Sequence, residues 1–198
     1  MKKRKTLIFV IILIIVNLIT TVTVTAQYNF GISDVSIAFA DVKYGLPFQI
    51  ITPIHPGIEV GATFLKKDKE KVFHSFDATL GYYYHDLITN GTYLNCKYNF
   101  QLKVKKVVGV DFYSGLGTLY SIYPGDAYHF NQNTKEYEQV INDKIYATIN
   151  AGFGLSYIKP QRIQPFIHYD FNANNVWALT SFVNLTTILK AGVKINLK

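Results

Sequence analysis

The sequence holds a single cysteine, Cys96, in 198 residues. That excludes an internal disulfide and any Cys-x-x-Cys metal or redox motif. Charge is scarce as well: Asp, Glu, Lys and Arg make up 17% of the chain. The formal charge of +7 shrinks on inspection. Lys2, Lys3, Arg4 and Lys5 belong to a leader, and the 20 basic residues less these four stand against 13 acids, about +3. So small a balance gives no support to a nucleic-acid partner, which needs a concentrated basic patch. Zinc spacings are missing too. No pair among His55, His74, His85, His129 and His168 reads HxH or HExxH, and neither GxSxG nor a P-loop occurs. No metal, cofactor or catalytic residue is therefore assigned. His74 and Ser75 are adjacent, so in a strand they point to opposite faces and cannot form a dyad.

Long apolar runs are confined to the start. Residues 1–26 read as a secretory signal peptide. MKKRK is a basic n-region, residues 7–19 an apolar h-region broken only by Asn17, and Val24-Thr25-Ala26 a small-residue cleavage pattern. The apolar run falls short of the roughly 20 residues that a spanning helix needs. Cleavage is placed after Ala26, leaving residues 27–198 as one domain.

What the mature chain does have is aromatics, 15 Tyr and 14 Phe, and a sustained alternation. In the segment 144–159 every second residue from Ile145 to Tyr157 is apolar: Ile145, Ala147, Ile149, Ala151, Phe153, Leu155, Tyr157. Between them stand Tyr146, Thr148, Asn150, Gly152, Gly154 and Ser156, mostly small or polar. Successive strand side chains point to opposite faces, so this is a strand with one bulky apolar face and one small polar face. The same period predicts strands over 32–40, 57–66, 72–86, 91–104, 107–121, 163–172 and 186–197, eight in all.

The connections alternate in length. Those at 67–71, 105–106 and 159–162 are short; those at 41–56, 123–143 and 173–185 are longer, with a brief one at 87–90 on the same side. Short turns at one end and longer loops at the other are the habit of outer-membrane barrels. The short turns are rich in Lys and Arg, the long loops in Asp and Glu.

Which face meets lipid follows from the two faces themselves. A soluble lipocalin-like barrel turns its apolar face inward and presents Lys and Glu to water. Here the polar face is mainly Gly, Ser, Thr and Asn, which suits an eight-stranded interior only just wide enough for side chains. The bulky face is therefore assigned to lipid. Tyr82, Tyr84, Tyr93, Tyr120, Tyr123, Tyr157 and Tyr169 lie near strand ends and suit interfacial girdles.

Asp34, Glu59, Asp77, Lys97, Asp111, Asp170, Lys190 and Lys194 fall on the inward face and must be paired there. Hairpin arithmetic sets Lys97 between Asp77 and Asp111, Asp170 against Lys190, and Asp34 near Lys194; Glu59 is left without a partner. The expected role of this network is to plug and rigidify the lumen. In the loops, Tyr128, Phe130, Tyr137 and Trp177 are the candidate contact residues.

With its signal peptide, eight alternating strands, the glycines of Gly115-Leu116-Gly117 and Gly152-Phe153-Gly154, and a last strand ending Lys194-Ile195-Asn196-Leu197-Lys198, the chain resembles the OmpA/OmpX-like eight-stranded outer-membrane β-barrel domain over about residues 28–198. The resemblance implies an all-β, antiparallel, up-and-down transmembrane barrel in the bacterial outer membrane, monomeric, surrounded by lipid and delivered by the barrel-assembly machinery. The expected role is structural or one of surface interaction. Two alternatives stand beside it: a membrane-embedded lipid-modifying enzyme, for which His85, His168 and Ser181 are the nearest raw material, and a secreted lipocalin-like binder of an apolar ligand.

Overall fold

The computed structural model describes residues 31–45, 54–85, 89–105, 107–125, 127–131, 135–140, 142–158, 162–174 and 184–197. The leader, Trp177 and Ser181 lie outside the described residues. The segment Ile32–Lys198 is one compact unit.

Among the described residues ten strands follow one another: β1 (Asp34–Tyr44), β2 (Pro56–Asp68), β3 (Val72–Tyr83), β4 (Asn90–Val104), β5 (Val108–Ile122), β6 (Ala127–Asn131), β7 (Glu136–Val140), β8 (Asp143–Tyr157), β9 (Ile163–Asn174) and β10 (Asn184–Asn196). Eight of them close into an antiparallel barrel in the order β1-β10-β9-β8-β5-β4-β3-β2. Closure joins the first strand to the last, from Asp34 opposite Asn196 to Tyr44 opposite Thr186. A closed barrel satisfies every ladder hydrogen bond and leaves no edge, as spanning a bilayer requires. The barrel strands run 11 to 15 residues, against the roughly 9–11 that a tilted strand needs to cross.

The lumen is polar and the outside apolar. Asn150, Asp170, Asp111 and Lys190 are buried inside, while Phe39, Leu116 and Ile167 stand 58%, 65% and 59% exposed on the outer face. The lipocalin-like alternative needs the reverse arrangement and is overturned by this. The barrel is a transmembrane one.

Two features depart from the alternation. The long connection after β5 is not plain loop: β6 and β7 pair as a separate two-stranded hairpin, with Phe130 opposite Tyr137. The second is a register shift in the β2–β3 ladder between Phe64 and Lys66. Leu65 there has φ 26°. One extra residue in the strand reverses the inward-outward parity beyond it.

Candidate functional site: the filled lumen

Strand parity sends one side chain in two toward the axis, and eight strands converge them within reach of one another. At the level where β2, β4, β9 and β10 face each other, four charges meet. Lys190 Nζ lies 2.6 Å from Asp170 Oδ2 and 2.9 Å from Glu59 Oε1. Lys97 Nζ reaches the same Asp170 oxygen at 2.7 Å. The Tyr113 hydroxyl donates to Asp170 Oδ1, and the Tyr93 hydroxyl donates to Glu59 Oε2 at 2.9 Å. Lys97 also sits 5.2 Å from the centre of the Tyr113 ring. Two acids and two ammonium groups cancel in charge, and their remaining lone pairs are met by the two phenols. That is the geometry under which burying ions becomes tolerable.

Toward the short-turn end a second polar layer follows. Asp111 accepts from Gln101 Nε2 at 2.7 Å and from the Ser156 hydroxyl, and lies 3.2 Å from His168 Nε2. Asp34 is held by Lys66 at 3.2 Å, and Lys194 stands 4.0 Å from Asp77. Cavities of about 90 Å³ and about 40 Å³ lie in this half. Both are bordered by Asn99 and His168. Such volumes take a few waters.

Toward the long-loop end the lumen turns apolar. Ala40, Val42, Tyr83, Tyr93, Leu119 and Ile188 form a buried cluster, with Tyr44 and Tyr146 packed against it. Above the cluster His55 and His85 stack at 3.5 Å between ring centres, nearly parallel. The Tyr44 and Tyr83 hydroxyls meet at 2.6 Å. Beyond the strand span, burial first and the hydrogen bond to Tyr146 second push the Tyr123 phenol above its ordinary range.

The aromatics inside fit because glycine stands opposite them. Tyr93 faces Gly81 across the β3–β4 ladder, and a Cβ built on Gly81 would lie 2.2 Å from the Tyr93 ring. Tyr113 lies over Gly152 in the same way, at 2.4 Å. Only glycine leaves room for a ring laid flat on the neighbouring strand.

All eight charges assigned to the lumen from the sequence project inward; Asp170 meets Lys190 as the hairpin arithmetic has it, and the other partners differ. Asp77 lies directly opposite Lys97 in register rather than diagonal to it, yet Lys97 crosses the lumen to Asp170. Asp34 pairs with Lys66, not Lys194. Glu59 has a partner after all, in Lys190. Asp111 is taken by Gln101, Ser156 and His168 rather than by Lys97. Lys66 escaped notice because the bulge at Leu65 turns it inward. Tyr93, expected in the girdle from its place near a strand end, is buried in the lumen instead; it shares the parity of Lys97. Among the loop candidates Tyr128, Phe130 and Tyr137 are exposed on the β6–β7 hairpin, where the Phe130 and Tyr137 rings touch at 5.2 Å. Of the histidines proposed as raw material for an enzyme, His85 stacks on His55 and His168 bonds Asp111 in the other half of the barrel. His74 and Ser75 part company, the ring nitrogen of His74 bonding Tyr98 while Ser75 bonds Asp77.

No protein-family model and no curated protein matches the chain. Among solved structures it is similar to Neisserial surface protein A, with a TM-score of 0.50 at 12% identity over 83% of this chain and 95% of that one. The outer membrane enzyme PagL aligns with a TM-score of 0.49 at 12% identity, covering 83% of this chain and 100% of that one. Ail, the attachment invasion locus protein of Yersinia pestis, aligns with a TM-score of 0.48 at 13% identity, covering 84% and 99%. At such identity the likeness is one of fold. Closed eight-stranded topology, an apolar outer face and a charged interior together give this chain the fold of the eight-stranded transmembrane β-barrels.

Proposed function

We propose that the protein is a small monomeric outer-membrane barrel with a plugged lumen, acting as a structural or surface-interaction element rather than as a channel. The observation that supports this reading is the crossing of the lumen by the Glu59–Lys190–Asp170–Lys97 network with an apolar cluster stacked above it. An ion entering from the short-turn end meets paired charges and then the apolar cluster; one entering from the long-loop end meets the cluster first. Export would follow cleavage after Ala26, which N-terminal sequencing of the mature protein tests directly, and folding would be assisted by the barrel-assembly machinery. The surface role would fall to the β6–β7 hairpin, whose Tyr128, Phe130 and Tyr137 are exposed. A catalytic role would require a nucleophile and a base converging near the outer rim, and the histidine environments described above do not favour one.

The test is conductance of the purified barrel in a planar bilayer. The plug predicts a baseline without steady channels, and Lys190→Ala combined with Lys97→Ala should raise the frequency of transient openings. Steady, long-lived channels in the unaltered protein would sink the reading.

A further inference from the structure

The charge asymmetry of the two barrel ends is not used by the plug. At the short-turn end Lys67, Lys69, Lys71, Lys105 and Arg162 are all exposed, and none of the five makes an ion pair among the described residues. The acids nearby do not neutralise them. Asp68 is engaged by Lys103, which also donates to the Lys69 carbonyl at 3.0 Å, and only Glu70 remains exposed beside the five. At the other end the exposed Lys135 and Lys144 are balanced by the exposed Glu136 and Asp143. The excess therefore belongs to one rim.

The depth of that rim is set by its apolar neighbours. Val104, 47% exposed, immediately precedes Lys105; Ile163, 54% exposed, immediately follows Arg162. Lys67 lies opposite His74 in register, on the outer face beyond the bulge. The cations thus begin where the lipid-facing band ends, at the level of headgroups, and their long stems can lie along that band while the charged ends reach the polar layer.

From this placement we infer that the short-turn rim is a collar that binds the anionic headgroups of phospholipids in the leaflet it crosses. In an outer-membrane barrel that is the periplasmic leaflet. The inference rests on the transmembrane reading of the barrel. Each cation near an anionic surface attracts a headgroup phosphate, and the attraction falls off within a Debye length.

The experiment uses the folded barrel extracted from membranes and reconstituted in phosphatidylcholine vesicles. Spin-labelled phosphatidylglycerol or phosphatidylcholine is added and the motionally restricted fraction is read by electron paramagnetic resonance. The collar predicts about fivefold tighter association of the anionic probe with lipid sites at the cations. That preference should fall toward parity at about 1 M salt, where the Debye length is roughly 3 Å. It should also fall in a variant carrying Lys67→Gln, Lys69→Gln, Lys71→Gln, Lys105→Gln and Arg162→Gln. Equal association of the two probes with the unaltered barrel at low salt overturns the collar, and so does a preference that survives high salt. The salt series needs no variant, so a misfolded quintuple mutant does not blunt the test. Heat-modifiable migration of the same sample reports insertion separately; its loss would overturn the barrel itself rather than the collar.

Discussion

Lys190 is the residue on which the lumen most depends. It is 1% exposed and holds Glu59 and Asp170 together. Lys190→Met removes the cation and leaves two carboxylates in a low-dielectric interior, with Lys97 alone to serve them. The expected loss is roughly 3–5 kcal/mol, read as a lower urea midpoint of the barrel in detergent or lipid. Adding Glu59→Gln to that variant should restore part of the loss, because it removes one of the stranded charges. Tyr93 offers a finer test. Tyr93→Phe deletes one hydrogen bond to a charged group, a loss of roughly 1.5–3 kcal/mol. Gly81→Val should cost more than Tyr93→Phe, since the new side chain takes the space of the ring itself. Equal effects would mean that the ring does not lie where it is described. At this scale the direction of the eight assigned charges was legible from period-2 parity; of their partners only Asp170 with Lys190, on adjacent strands, was. Hairpin arithmetic links adjacent strands only. Lys97 with Asp170 and Lys190 with Glu59 join positions 73 and 131 residues apart, through side chains long enough to cross an interior that eight strands keep narrow.

Strands and their irregularities come next. Alternation located all eight barrel strands within a few residues, because each has one face in lipid and one in a polar lumen, the condition under which the period is strongest. The bulge at Leu65 was hidden, since one inserted residue leaves no compositional mark. Its consequence is specific: Lys66 faces Asp34 only because of it. Deleting Leu65 removes the extra residue and should leave Lys66 opposite Ser75 and turned inward, so Asp34 keeps its cation and the urea midpoint holds, while Leu65→Gly should relieve the left-handed backbone and be neutral or stabilising by up to about 1 kcal/mol. The β6–β7 hairpin leaves no clear period in the sequence because its five-residue strands are short and its residues mixed. It pairs with itself and joins no barrel strand. Replacing residues 126–141 by a short turn should therefore leave the heat-modifiable migration of the barrel intact; its loss would show that the hairpin is part of the barrel's stability.

For the whole molecule the central claim is direction: bulky side chains to lipid, charges to the lumen. Two opposite polarities of an alternating strand are equally good barrels on paper, and the decision came from Gly, Asn and Thr standing where a water-facing surface would need Lys and Glu. Polarity of this kind also explains why the chain can be nearly half hydrophobic, at 49%, without a spanning helix among the described residues. The native sequence supplies the probe. Cys96 is its only cysteine and is exposed on the outer face of β4, between the inward-facing Asn95 and Lys97. A nitroxide attached to Cys96 in the reconstituted barrel should be relaxed strongly by oxygen, which concentrates in the bilayer, and weakly by a water-soluble nickel chelate. The same label at position 95, introduced as Asn95→Cys with Cys96→Ser, should be shielded from both. A label at Cys96 that responds to the nickel chelate and not to oxygen would contradict the account.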